Sequence, residues 1–156
     1  MTKLGAVFGD SYQKASTHLR TRSFELGGHV FKVRIPLTKE MEAINEKIEK
    51  INEVEAEARF QKMTTGFRSN HDIEGVLVTE DDVVVDGRST RELVRTMMTM
   101  ENRIVEYLKL LVPENGSLDE LTYEEVEAEW PLAIQLEMLA KINETIQPGY
   151  KESRKN

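Results

Sequence analysis

The chain has 156 residues, enough for one domain with a buried core, and carries a net charge of −7, with 31% charged and 6% aromatic residues. That balance suits a soluble, helix-rich protein and argues against a nucleic-acid binder. The absence of cysteine excludes disulfides, thiolate metal sites and a thiol nucleophile, and no apolar run approaches the ~20 residues of a bilayer span.

The first residues, MTKLGAVFGDSYQ, hold one lysine and a broken apolar patch. They lack the apolar core of a signal peptide, so the chain is expected to stay in the cytoplasm. Nothing sustains a helix beyond one turn at Phe8 and Tyr12, and residues 1–18 are expected to be a flexible arm. Residues 19–35 alternate in character on both sides of Gly27-Gly28, which predicts a β-hairpin with a tight positive-φ turn. Phe24, Leu26, Phe31, Val33 and Ile35 then share a face. Strict alternation puts Arg20 and Arg22 on that same face, a conflict the sequence leaves open.

Pro36 ends the hairpin, and Thr38 can cap a helix over 38–64. Met41, Ile44, Ile48 and Ile51 follow a 3-4-3 spacing, the narrow seam of a coiled coil. The seam lasts under two clean heptads, so it predicts either one arm of an intramolecular helix pair or a self-association contact. A loop is expected over 65–75, and residues 76–85 read as two short strands about Glu80-Asp81-Asp82, or as one strand and a turn.

The main element is 89–112. Leu93, Met97, Met100, Ile104, Leu108 and Leu111 fall on one helical stripe, widened by Val94, Met98, Val105 and Tyr107. Fully buried, these ten side chains would contribute at most about 15–30 kcal/mol. Ser89 and Glu92 form a capping box, Asp86-Gly87 supplies the preceding turn, and Pro113 marks the stop. Ser117/Glu120 and Thr122/Glu125 are further capping boxes, predicting two short helical turns over 118–129. Leu132, Leu136, Leu139, Ile142 and Ile146 predict a last amphipathic helix that begins at Pro131 and ends at Pro148-Gly149. Residues 148–156 read as a polar tail. The fold expected is α+β and mainly helical: an N-terminal hairpin, a small second β element, a central buried helix and two or three further amphipathic helices. Residues 19–147 are expected to form a single domain.

Charge is unevenly spread. Residues 1–36 carry six Lys/Arg against two acids, and residues 114–147 carry one against nine. Such asymmetry favours contact between copies or with a partner; a solvated acidic face with basic ends is the plainer alternative.

No catalytic constellation is present. His18, His29 and His71 have no partners at metal-ligand spacing, Asp81, Asp82 and Asp86 lack the ligand pattern of a calcium loop, and no phosphate loop or nucleophile elbow occurs. The chain is expected to be neither an enzyme nor a cofactor or nucleic-acid binder. Two features point to binding. Met97, Met98 and Met100 cluster, and flexible thioethers suit adaptable surfaces; with Tyr107 they are candidate client-binding residues. Met41, Ile44, Ile48 and Ile51 are candidate self-association residues. Core packing is the alternative for both groups.

FELGGHVFKVRIPLTKEM, a hairpin running into an amphipathic helix, is followed by EDDVVVDGRSTRELVRTMMTMENRIVEYLKLLVPENGSLDELTYEEVEAEWPLAIQLEMLAKI. Together they resemble the tail assembly chaperones of long-tailed, non-contractile bacteriophages and prophages, over roughly residues 20–156. The resemblance implies a protein of the host cytoplasm, absent from the mature virion. It would bind and solubilise the tape measure protein and help recruit tail tube subunits. It also implies a homo-oligomer and a frameshift-extended form joined near YKESRKN. A structural tail or head-tail connector protein kept in the virion is the alternative.

Overall fold

The computed structural model describes residues 2–68 and 73–148. The fold is α+β and mainly helical, with six helices and two small antiparallel sheets among these residues. Residues 149–156 of the expected 148–156 tail, His71 and the middle of the 65–75 loop lie outside them. Contacts divide the chain into two compact units, Met1–Ala43 with Ile104–Asn156, and Ile44–Arg103.

The first unit is organised on the hairpin. β1 (Thr21–Leu26) and β2 (His29–Arg34) pair antiparallel through a turn in which Gly27 and Gly28 have φ of 62° and 81°. Glycine takes up successive positive φ values without strain. Phe24 lies opposite Phe31 with stacked rings 5.5 Å apart, and this face also carries Arg22, Leu26 and the fully buried Val33. β2 gains a third neighbour at residues 110–112: the Arg34 N–H donates to Leu110 O and the Val112 N–H to Lys32 O, around a Val33–Leu111 bridge.

The arginine conflict resolves through hydrogen bonding. Arg22 does sit on the apolar face, and its guanidinium donates to Thr145 O and Gln147 O at 3.0 and 3.1 Å. These carbonyls are at the C-terminal end of α6 (Leu132–Ile146), where a helix favours a cation. Arg20 instead donates to Ile35 O and, with Arg34, pairs with Glu40. The hydrogen bond from Arg34 is the main reason the Glu40 carboxyl is held below its ordinary range.

Residues 1–18, expected to be a loose arm, carry a helix that runs one residue past it: α1 (Lys3–Leu19). Thr2 Oγ1 caps it by accepting from the Gly5 N–H at 3.0 Å. Gly9 breaks it with φ 80°, and across the break Gln13 donates to Gly5 O while the Phe8 and Tyr12 rings approach to 5.3 Å. Short polar residues and glycines hide this helix from a periodicity reading.

The helix expected over 38–64 is two helices: α2 (Thr38–Glu49) and α3 (Glu53–Arg68). Asn52 Oδ1 accepts from the Glu55 N–H and starts α3, an N-terminal signal hidden in a run of good helix formers. Asn102 donates to Ile48 O and Lys50 O and so satisfies carbonyls freed at the end of α2.

Of the two readings of 76–85 the two-strand one holds, with one addition. β3 (Val76–Val78) and β4 (Val83–Val85) pair, and β5 (Arg88–Ser89) follows β4 through Asp86-Gly87, both at positive φ. Asp82 ties this sheet to the start of α4 (Thr90–Leu108). Its carboxylate accepts from Ser89 Oγ and from the N–H groups of Val83 and Arg91. Burial pushes the Asp82 carboxyl up, but these hydrogen bonds outweigh it and its pKa lies below the ordinary value. Ser89 Oγ accepts from the Glu92 N–H and so caps α4, one half of the expected box.

α4 stops at Leu108, not at Val112, because the chain turns there and extends along β2. Thr122 and Glu125 make the expected reciprocal capping box for α5 (Tyr123–Glu129). The Ser117/Glu120 box does not form: Ser117 Oγ accepts from the Asp119 N–H, and residues 118–121 make a turn only. α6 lies against β1 and β2. The face it buries is Gln135, Met138 and Ile142, whereas Leu132 and Leu136 of the expected stripe are exposed. The side chain of buried Gln135 is satisfied by Tyr123 Oη and Trp130 O, both at 2.8 Å.

Candidate interaction surface

In the second unit, Ala56 and Phe60 of α3, Val83 of β4, and Val94 and Met98 of α4 form one buried cluster. Ile51, Phe67 and the strand valines pack around it. That choice of face fixes how α4 is rotated. Val94 and Met98, four residues apart, turn inward, so Leu93 and Met97, one position earlier, stand 49% and 41% exposed. Met100 is half-buried.

Ion pairs hold α3 beside α4 in this rotation. Arg59 grips Glu101 through two nitrogens at 2.6 and 2.7 Å and also reaches Glu55. Arg91 pairs with Glu57, and Arg95 with Glu53. The hydrogen bond from Arg91 is the main reason the Glu57 carboxyl is lowered to about 2. Arg91 also lies over the Phe60 ring, 3.8 Å from its centre, so the cation seals one side of the core.

The result is an apolar stripe of two turns, Leu93–Met97–Met100, with no partner from its own helix pair. Beside it, Arg95, Thr96, Thr99, Met100 and Arg103 line a shallow depression of about 220 Å³. Thr99 Oγ1 is engaged with Arg95 O, and Arg103 makes no ion pair among the described residues. Thioethers and a leucine edged by hydroxyls and guanidinium groups can take up the apolar face of another helix.

The other expected residues fall in different places. Met98 (5% exposed) and Tyr107 (9%) are core and are removed from the client-binding set; only one of two adjacent methionines can face inward. In the expected self-association seam, Ile48 is 2% exposed and belongs to the core. Ile44 and Ile51 are half-buried. Met41 instead meets Tyr107 in a groove of about 330 Å³ with Ile146 and Pro148. The seam is therefore turned mostly inward.

Among the described residues, no group of three His, Asp or Glu side chains could hold a metal ion, and no helix is long and apolar enough to cross a membrane. No family model, curated protein or solved structure matches the chain.

Proposed function

We propose that the protein is a tail assembly chaperone that binds the tape measure protein of a long-tailed phage or prophage in the host cytoplasm. In this reading it keeps that client soluble, helps recruit tail tube subunits and leaves before the tail is complete. The observation that supports it is the Leu93–Met97–Met100 stripe, in which Leu93 and Met97 are exposed and Met100 half-buried. Burying the remaining surface of so few side chains yields only a few kcal/mol, on the order of 2–4, so one copy binds weakly. A long helical client that repeats its own apolar stripe offers many such sites, so many weakly held copies cover it at once.

The test is co-expression with the tape measure protein encoded nearby, followed by pull-down and a solubility assay. The wild type is expected to give a soluble complex, and Met97→Asp to lose it with the same circular dichroism and melting temperature as the wild type. A Met97→Asp protein that still solubilises the client sinks the assignment of the stripe. A chain that forms no complex and is found in purified virions replaces the chaperone reading with that of a structural tail protein.

A further inference from the structure

Two faces of the first unit are apolar, exposed and opposite in charge. On α1, Leu4, Val7 and Phe8 are 56%, 67% and 58% exposed, set apart from the rest of the helix by the break at Gly9. Lys3 and Lys14 are exposed on the same helix, which has Asp10 as its single acid. Three of the six cations in residues 1–36 are engaged within the chain: Arg20 and Arg34 with Glu40, and Arg22 with the end of α6. Lys3 and Lys14 make no ion pair among the described residues.

On the outer flank of α6, Leu132 and Leu136 are 57% and 41% exposed one turn apart, with Leu139 half-buried one turn on. Residues 114–147 bring nine exposed acids and a single lysine. Among the described residues none of those acids is in an ion pair. An apolar centre with charged surroundings is the usual make-up of a protein interface, and here α1 is net positive, with two lysines and one aspartate, and residues 114–147 are net negative.

We propose that the outer flank of α6 receives α1 of a second copy of this chain. Leu4, Val7 and Phe8 cover Leu132 and Leu136, and Lys3 and Lys14 meet the acids of α5 and α6. The two surfaces differ, so the contact is head-to-tail: each copy offers one donor helix and one receiving flank, and copies add in sequence. The residues are distinct from the Leu93–Met97–Met100 stripe, so this inference and the proposed function fail independently.

The experiment is sedimentation velocity of the full chain across a concentration series up to the order of 100 µM, where even a weak contact is populated. Two variants accompany it, Leu132→Asp/Leu136→Asp and Val7→Asp/Phe8→Asp, both at exposed positions and both checked for wild-type helicity. The wild type is expected to grow in mass with concentration in low salt. It should return towards monomer near ~1 M salt, where screening length falls to about 3 Å. Each variant alone is expected to remain monomeric, and an equal mixture to form a dimer and go no further, because one intact α1 meets one intact flank. Lys3→Glu/Lys14→Glu, which leaves every apolar side chain in place, is expected to weaken association at least several-fold in low salt. A wild type that stays monomeric, either Asp variant associating alone, or a mixture that does not dimerise overturns the proposal.

Discussion

Met97 and Met98 are adjacent, chemically identical and differently placed, which makes them a direct measure of how α4 is rotated. Met98 is 5% exposed inside the cluster with Phe60 and Val94, and Met97 is 41% exposed. Truncating Met98 to Ala removes three buried heavy atoms. At ~0.8 kcal/mol for each methylene-sized group the transfer loss is roughly 2.4 kcal/mol, and the cavity left behind raises it to about 2–4 kcal/mol. Truncating Met97 removes atoms that water already reaches in large part, and costs under about 1 kcal/mol. For a chain of this length each kcal/mol moves the melting temperature by ~2–4 °C. Met98→Ala is therefore expected to melt some 5–15 °C lower and Met97→Ala within about 4 °C of the wild type. Urea titrations of both variants, followed by far-UV circular dichroism, give the free energies directly. Equal losses, or a larger loss at Met97, would refute the rotation and the exposed stripe with it.

Two further outcomes follow from the polar core. Gln135→Leu deprives Trp130 O and the Tyr123 hydroxyl of the amide that joins them, and is expected to cost about 1–3 kcal/mol in urea unfolding despite its greater hydrophobicity; a neutral or stabilising result removes the amide from its bridging role. The Asp82 carboxyl has a folded pKa below its unfolded value of about 3.9, so its contribution is complete above that value and is lost as pH falls through the folded pKa. The stability gap between wild type and Asp82→Asn should be full at neutral pH and narrow below about pH 4; a gap that does not change with pH contradicts the hydrogen-bonded carboxylate.

Elements that announce themselves with glycine, proline or a capping box were legible in the sequence. The Gly27-Gly28 hairpin, the Asp86-Gly87 turn, the Ser89 start of α4 and the Thr122/Glu125 start of α5 all stand where local chemistry puts them. Which face of a helix turns inward was less legible, because α4 and α6 are apolar over more than half their circumference. Periodicity alone cannot choose between Leu93–Met97 and Val94–Met98, or between Leu132–Leu136 and Gln135–Met138; the choice rests on ion pairs from α3 and on a buried amide. The break at 50–52 depends on Asn102, about fifty residues away, satisfying carbonyls at the end of α2. Of the candidate site, Met97 stays exposed and Met100 half-buried, while Met98, Tyr107 and Ile48 are drawn into the core by side chains distant in sequence.

The first unit is discontinuous in the chain, built from residues 1–43 and 104–156, whereas residues 44–103 are continuous. On the ribosome the inner segment is therefore complete while the hairpin still lacks half its surroundings. β2 holds an unpaired edge until residue 112 is made, and Arg22 waits for the carbonyls of residues 145 and 147. The order of synthesis thus makes residues 44–103 available before residues 104–148 can close on the hairpin. Until then an open strand edge beside an apolar face is the segment most prone to pair with the wrong neighbour.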